Sequence, residues 1–120
     1  MNSKKILIVD DAENNLILLN DLLYEHDYNI SLARNGHEAL ESVKQQKPDL
    51  ILLDIMMPGM DGFEFFEKVK IENPEIRVIF ITAKSNTSDI EKASEMGAAG
   101  FITKPVNILH ILKTVEDALN

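Results

Sequence analysis

Short apolar runs that end in polar residues constrain the fold of this chain most strongly. Three runs of four apolar residues are followed at once by Asp10, Asp54 and Thr82, and a fourth short segment, Gly100–Thr103, precedes Lys104. Continuous apolar runs of this length are typical of parallel strands that are buried on both faces. Since ligands of open α/β sheets bind at the carboxyl ends of the strands, we expect these polar residues along one edge of one sheet.

Helical periodicity separates the predicted strands. Predicted helices span about residues 13–25, 35–46, 61–73, 87–96 and 107–119. Such alternation predicts a parallel sheet with helices on both faces, joined by right-handed crossovers. We expect an α/β fold within one domain, residues 1–120, built on a doubly wound five-stranded parallel sheet. The strand order 2-1-3-4-5 is borrowed from flavodoxin-like (βα)5 proteins, because the pattern alone does not specify it. In the last helix, Ile108 and Ile111 are both expected to face the core.

Composition excludes several classes of function. The chain has 120 residues, of which 45% are hydrophobic, and this suits one domain with one core. The formal charge of −8 disfavours direct binding to nucleic acid or to an anionic membrane. Because there is no cysteine, disulfides and thiolate metal sites are excluded, and a reducing cytoplasm is the expected location. No apolar run is long enough to span a bilayer.

Carboxylates dominate the predicted edge of the sheet. If strands 1 and 3 are neighbours, Asp10, Asp11 and Asp54 converge where the chain reverses direction between them. Carboxylates this close raise one another's pKa unless a cation lies among them. Mg²⁺ suits such a site because it prefers carboxylate oxygens and water, and together with Lys104 it would bring the net charge to zero. The structural alternative for Asp10 is that it merely caps a helix.

Asp54 is the candidate nucleophile because it follows a buried strand and faces the expected cation. Carboxylates form aspartyl phosphates in known covalent mechanisms. Phosphoryl transfer requires mainly positioning and neutralisation of the phosphoryl oxygens, which the cation and Lys104 would supply. The Thr82 hydroxyl could bind a further oxygen, and the small Ala83 leaves space for the incoming group. Taken alone, Thr82 could be an ordinary strand residue and Lys104 a solvated surface charge.

Four short motifs are spread along the chain: Asp10-Asp11, Asp54 to Gly62, Thr82-Ala83 and Lys104-Pro105. At these separations they resemble the receiver domains of two-component response regulators, and the resemblance covers the whole chain. It implies that Asp54 accepts a phosphoryl group from a phosphohistidine on a sensor histidine kinase or a phosphotransfer protein. It also implies that the domain controls a downstream protein target or a fused output domain.

The resemblance further implies a Mg²⁺ site, which Mn²⁺ could also occupy. Asp11, Asp54 and the main-chain carbonyl of Met56 would bind the ion, while Asp10 would act largely through a coordinated water. Lys104 would pair with the phosphoryl oxygens, and its peptide bond to Pro105 would be cis. These are expectations carried over from the family motif.

A switch is implied by the same resemblance. After phosphorylation Thr82 would move toward the phosphoryl group and Phe101 would rotate into the vacated space, although Phe101 could also simply fill the core. The fourth helix, fifth strand and fifth helix would change as one surface. Met56 and Lys84, two residues beyond Asp54 and Thr82, would flank the phosphoryl group and screen it from water. We therefore expect slower self-dephosphorylation in this chain than in a Met56→Asn variant.

Three other functions compete with this interpretation. A nucleotide- or flavin-binding domain would need a phosphate-binding loop after strand 1, where Asp10 and Asp11 would instead repel phosphate. A Mg²⁺-dependent phosphohydrolase usually carries its nucleophile and acid–base on one Asp-x-Asp loop, which is absent here. A receiver-like binding module that is never phosphorylated is disfavoured by the complete set of acids, threonine and lysine, but that set does not exclude it.

Overall fold

Strands and helices alternate along the whole of the described chain. The structure is a computed structural model that describes residues 3–83 and 86–120. The strands are β1 (Lys5–Val9), β2 (Asn29–Ala33), β3 (Leu50–Leu53), β4 (Arg77–Thr82) and β5 (Gly100–Thr103). The helices are α1 (Glu13–Tyr24), α2 (Gly36–Gln46), α3 (Gly62–Glu72), α4 (Thr87–Glu95) and α5 (Ile108–Leu119). Each predicted strand and helix is present, with ends that differ by a few residues.

The strands form one parallel sheet in the order β2-β1-β3-β4-β5. In its centre Val9 pairs with Leu53, and Leu53 pairs with Phe80. The fold is therefore the predicted flavodoxin-like (βα)5 arrangement, with β1 and β3 as neighbours. The sequence of β2 is less apolar than that of the central strands, and β2 lies at an edge of the sheet.

Two apolar layers hold the helices against the sheet. Along β1, Leu7 and Val9 join one layer, whereas Ile6 and Ile8 join the other, because successive strand residues point to opposite faces. The first layer contains buried residues of α2, α3 and α4, and the second contains those of α1 and α5. All four residues of the central strand β3 are buried. The sheet is thus covered on both faces by helices.

The prediction for the inner face of α5 was wrong at Ile108. This residue begins the helix and is 52% exposed, whereas Ile111 and Val115 are fully buried. The buried stripe continues to Ala118. Ile108 lies one turn before this stripe, next to the loop that follows β5. An apolar residue at this position is therefore not buried in the core.

Side-chain caps fix the start of four helices. The capping residue accepts a hydrogen bond from the backbone N–H three residues later, which satisfies one of the free donors at a helix start. These caps are Asn35, Asp61, Asn86 and Asn107. Asp61, for example, accepts the Glu64 N–H at 2.9 Å. Over residues 3–83 and 86–120, no helix has the length and apolarity needed to cross a membrane.

Candidate functional site

Backbone hydrogen bonds extend the sheet beyond the ends of its strands and position the predicted site residues. The Asp54 N–H donates to the Val9 carbonyl at 3.0 Å, and the Lys104 N–H donates to the Thr82 carbonyl at 2.8 Å. Asp10 directly follows Val9. The rigid sheet therefore brings these residues, which lie far apart in sequence, to one edge.

Three carboxylates meet at this edge. Asp10, Asp11 and Asp54 each offer an oxygen that lies within 4.8 Å of the oxygens offered by the other two. Asp10 is 2% exposed and Asp54 is 7% exposed, whereas Asp11 faces solvent. Oxygen donors so arranged match the preference of Mg²⁺, which keeps several waters and binds through a few carboxylates. The donor chemistry of the cluster fits a hard divalent cation.

Lys104 bridges two of these acids. Its Nζ lies 2.8 Å from Asp10 Oδ2 and 3.2 Å from Asp54 Oδ2. Burial acts to lower the pKa of the ammonium, but the hydrogen bond to Asp10 and the charges of both acids outweigh it, so the pKa of Lys104 is raised. The side chain therefore remains protonated and neutralises part of the buried negative charge.

Asp54 is a buried carboxylate held by two donors. Oδ1 accepts the Met56 N–H at 3.1 Å, and Oδ2 accepts the Lys104 ammonium. Burial raises the pKa of Asp54 above its ordinary value; Lys104 opposes this change, while the negative charge of Asp10 adds to it. The two hydrogen bonds hold the carboxylate in one orientation, and such positioning favours its use as a nucleophile.

Thr82 ends β4 beside this cluster. It is 1% exposed, and its Oγ1 has no hydrogen-bond partner among the described residues. A buried hydroxyl without a partner costs stability, so its presence at this edge calls for a functional reason. Phe101, in the neighbouring strand β5, is half-buried and packs against Phe80 with ring centroids 6.2 Å apart.

The remaining predicted site residues flank the cluster. The Met56 side chain is 64% exposed, and Ala83 also faces solvent. The Lys104–Pro105 peptide bond is cis, as the resemblance implied. Lys84 lies outside the described residues, so the expectation that Met56 and Lys84 slow hydrolysis stays a prediction.

Sequence reasoning did not single out Asn15. Its Nδ2 donates to Asp10 Oδ2 at 3.3 Å, which makes it part of the polar network of the site. The available signal was an Asn in the first turn of a helix that directly follows an acidic pair. Such an Asn is easily dismissed because Asn is common near helix starts.

Comparison with known proteins decides the family. The model of the response regulator receiver domain matches residues 6–116. The chain belongs to the response regulator receiver family. It is 40% identical to sporulation initiation phosphotransferase F of Bacillus subtilis, over 99% of this chain and 96% of that protein.

Solved structures of receivers agree with the fold. A receiver domain protein from Methanospirillum hungatei superposes with a TM-score of 0.93 at 30% identity, covering 98% of this chain and 94% of that one. The CheX–CheY–BeF3–Mg complex from Borrelia burgdorferi matches with a TM-score of 0.92 at 29% identity, covering 98% and 90%. Several other relatives are longer, and this chain spans 26% of their length.

Membership establishes the general role of the chain. A receiver is a phospho-accepting regulatory domain of two-component signalling, and receivers interact with histidine kinases or phosphotransfer proteins. The family typically binds Mg²⁺, and the acidic cluster of Asp10, Asp11 and Asp54 is where this receiver could hold a metal.

Proposed function

We propose that Asp54 is the phosphoryl acceptor of this receiver and that its donor is a phosphohistidine of a sensor histidine kinase or phosphotransfer protein. The observation that carries the proposal is the position of the Asp54 carboxylate. It is 7% exposed at the end of β3, clustered with two further acids and 3.2 Å from the ammonium of Lys104. The site thus supplies a nucleophilic oxygen on Asp54, a neutralising cation on Lys104 and a rigid sheet that positions both.

The proposed chemical step is a displacement at phosphorus. An Asp54 carboxylate oxygen forms a bond to phosphorus, the phosphorus–nitrogen bond of the phosphohistidine breaks, and its electron pair returns to the imidazole nitrogen. The product is an aspartyl phosphate. Lys104 is placed to bind a phosphoryl oxygen, because its Nζ already contacts the acceptor carboxylate. The Thr82 hydroxyl, which has no partner within residues 3–83 and 86–120, would donate to another of these oxygens.

The residues that would hold Mg²⁺ are Asp11, Asp54 and the Met56 carbonyl, with Asp10 acting through water. When bound, the ion would offset the negative charge on the transferring phosphoryl group. Mn²⁺ could serve in its place, since it also favours carboxylate ligands. The mutual proximity of three carboxylate oxygens supports this assignment.

The aspartyl phosphate would act as a switch. Modification changes the charge at Asp54 from −1 to about −2 and adds acceptor oxygens. Thr82 would then turn toward the phosphoryl group, and Phe101 would move inward into the space that Thr82 leaves. Pairing of β4 with β5, on which these two residues lie, supports this coupling. The surface formed by α4, β5 and α5 would change and control a protein target or a fused output domain, in the cytoplasm. Two states of one domain, shifted in population, are sufficient for such control.

Phosphorylation by a small donor tests the proposal directly. The protein is incubated with acetyl phosphate and Mg²⁺, and its intact mass is measured. One phosphoryl adduct is expected, and it should disappear in Asp54→Asn and after chelation of the metal. Asp61→Asn is the matched control, because it removes one exposed carboxylate and keeps a capping side chain on α3. An adduct that persists in Asp54→Asn would show that another residue accepts the phosphoryl group and would contradict the assignment. No adduct with any donor would favour a binding module that is not phosphorylated.

A further inference from the structure

The carboxylate of Asp10 is oriented by three donors. Oδ1 accepts the Ala12 N–H at 2.9 Å, and Oδ2 accepts both Lys104 Nζ at 2.8 Å and Asn15 Nδ2 at 3.3 Å. The side chain is almost fully buried. Asp10 therefore has little freedom to turn, and its orientation depends on donors from α1 and from the segment that follows β5.

Asn15 reaches Asp10 from the first turn of α1. Its backbone N–H donates to the Ala12 carbonyl at 3.0 Å, so the start of the helix is already formed without its side chain. Ala12, at the capping position, has no side-chain oxygen to offer. The Asn15 amide is thus directed at the acidic cluster and does not serve as a helix cap of the kind found in α2 to α5.

The two donors to Asp10 Oδ2 differ in their other hydrogen-bond partners. Lys104 is shared with Asp54, whereas Asn15 contacts only Asp10 among the side-chain hydrogen bonds of the described residues. If Lys104 shifts toward phosphoryl oxygens on Asp54, Asp10 loses its closest donor on that oxygen. Asn15 keeps a neutral donor there, and a neutral amide does not repel a divalent cation.

We propose that Asn15 is a positioning residue that holds the Asp10 carboxylate in the orientation required by the divalent cation. The inference rests on the proposed function, since it assumes that the acidic cluster holds Mg²⁺. Partners that orient the ligands of a metal site typically contribute about 10- to 100-fold to metal affinity or activity. Asp10 is proposed to reach the ion through water, and the 3.3 Å distance is the longest of the three at Asp10, so the expected effect lies at the lower end of that range.

Metal affinity and stability must be measured separately, because loss of the Asn15 amide could also weaken α1. Mn²⁺ binding is followed by electron paramagnetic resonance, with Mg²⁺ as a competitor, and thermal unfolding is measured in chelator. Asn15→Leu keeps the size and removes the donor, and Asn15→Ala serves if the leucine variant does not fold. Asn15→Gln retains an amide. Asn14→Leu is the matched control, since Asn14 is exposed on the same turn.

We expect Asn15→Leu and Asn15→Ala to weaken Mn²⁺ binding about tenfold, Asn15→Gln to restore part of that loss, and Asn14→Leu to leave affinity unchanged. A change in melting temperature with unchanged metal affinity would overturn the inference and leave Asn15 as a structural residue of α1. Failure of the parent protein to bind Mn²⁺ would instead remove the proposed metal site itself, and this inference with it. The two failures are therefore distinguishable.

Discussion

The hydroxyl of Thr82 shows how a single residue kept for function can lower the stability of the fold. Thr82 is buried at the end of β4, and its Oγ1 has no partner among the described residues of the unphosphorylated chain. Leaving a buried polar group without a partner costs about 1–3 kcal/mol. A strand residue chosen for stability alone would be valine, which has the same shape. The hydroxyl is explained if its partner is the phosphoryl group on Asp54.

We therefore predict that Thr82→Val stabilises the unphosphorylated protein by about 1 kcal/mol, since it removes the unpaired hydroxyl and keeps the side-chain volume. Urea unfolding checks this value. Thr82→Ser is the control, because it keeps the hydroxyl and loses only a methyl group, and it should not gain stability. A Thr82→Val protein that is less stable than the parent would show that the hydroxyl already has a partner.

Single residues also show where prediction from sequence stops. Asp54 and Lys104 could be placed at one edge because each follows a short strand. In a parallel sheet the carboxyl ends of all strands lie at the same edge. The sharing of Lys104 between Asp10 and Asp54 was not predictable, since it depends on side-chain rotamers. The same holds for Asn15, whose amide could equally have faced solvent.

At the scale of elements, α3 packs unusually close to the end of β3. The Gly62 N–H donates to the Ile55 carbonyl at 2.8 Å, and a Cβ on Gly62 would lie 2.5 Å from the Asp54 carbonyl oxygen. The start of α3 thus sits directly on the backbone of the proposed phosphoryl acceptor. Glycine is required at this position because no larger residue fits against that carbonyl.

We predict that Gly62→Ala destabilises the protein by about 2 kcal/mol, because overpacking against backbone forces the start of α3 away from Asp54. Gly59→Ala is the matched control. Gly59 has φ +85° but an added Cβ would meet nothing within 4 Å, so only the left-handed backbone cost of about 1 kcal/mol applies. Urea unfolding gives both values, and phosphorylation by acetyl phosphate should slow in Gly62→Ala alone. Equal effects of the two substitutions would contradict the close approach.

The sequence was most informative about the secondary-structure elements. The central strands were identifiable because burial on both faces demands unbroken apolar runs. The exposure of Ile108 was not predictable, since apolar spacing within α5 cannot show where the helix passes beyond the sheet. Strand order also had to be borrowed, because a periodic pattern does not specify which strands are neighbours.

At the scale of the whole molecule, three negative charges are clustered at the carboxyl edge of the sheet. The chain has a net charge of −8, and three of its carboxylates share one small site in which Lys104 bridges two of them. Repulsion among acids destabilises the folded state, whereas a cation bound only by the folded state stabilises it. The stability of the entire domain should therefore depend on divalent metal.

We predict that Mg²⁺ at about 100 times its Kd raises the free energy of unfolding by about 2.7 kcal/mol relative to protein in chelator. Asp11→Asn should lose most of this gain, because it removes an exposed member of the proposed ligand set. In chelator the same variant should be more stable than the parent, since one repulsive charge is gone. Asp61→Asn removes the same charge from an exposed acid that is not one of the three clustered carboxylates, and it should retain the full response to Mg²⁺.

Thermal and urea unfolding of the three proteins, with and without Mg²⁺, measure both effects at once. The decisive feature is the reversal of order, with Asp11→Asn above the parent in chelator and below it in saturating Mg²⁺. General screening of charge by salt cannot produce that reversal, because it would act on Asp11→Asn and Asp61→Asn alike. Parallel responses of the two variants would show that Mg²⁺ acts on the net charge and does not bind at the carboxylate cluster.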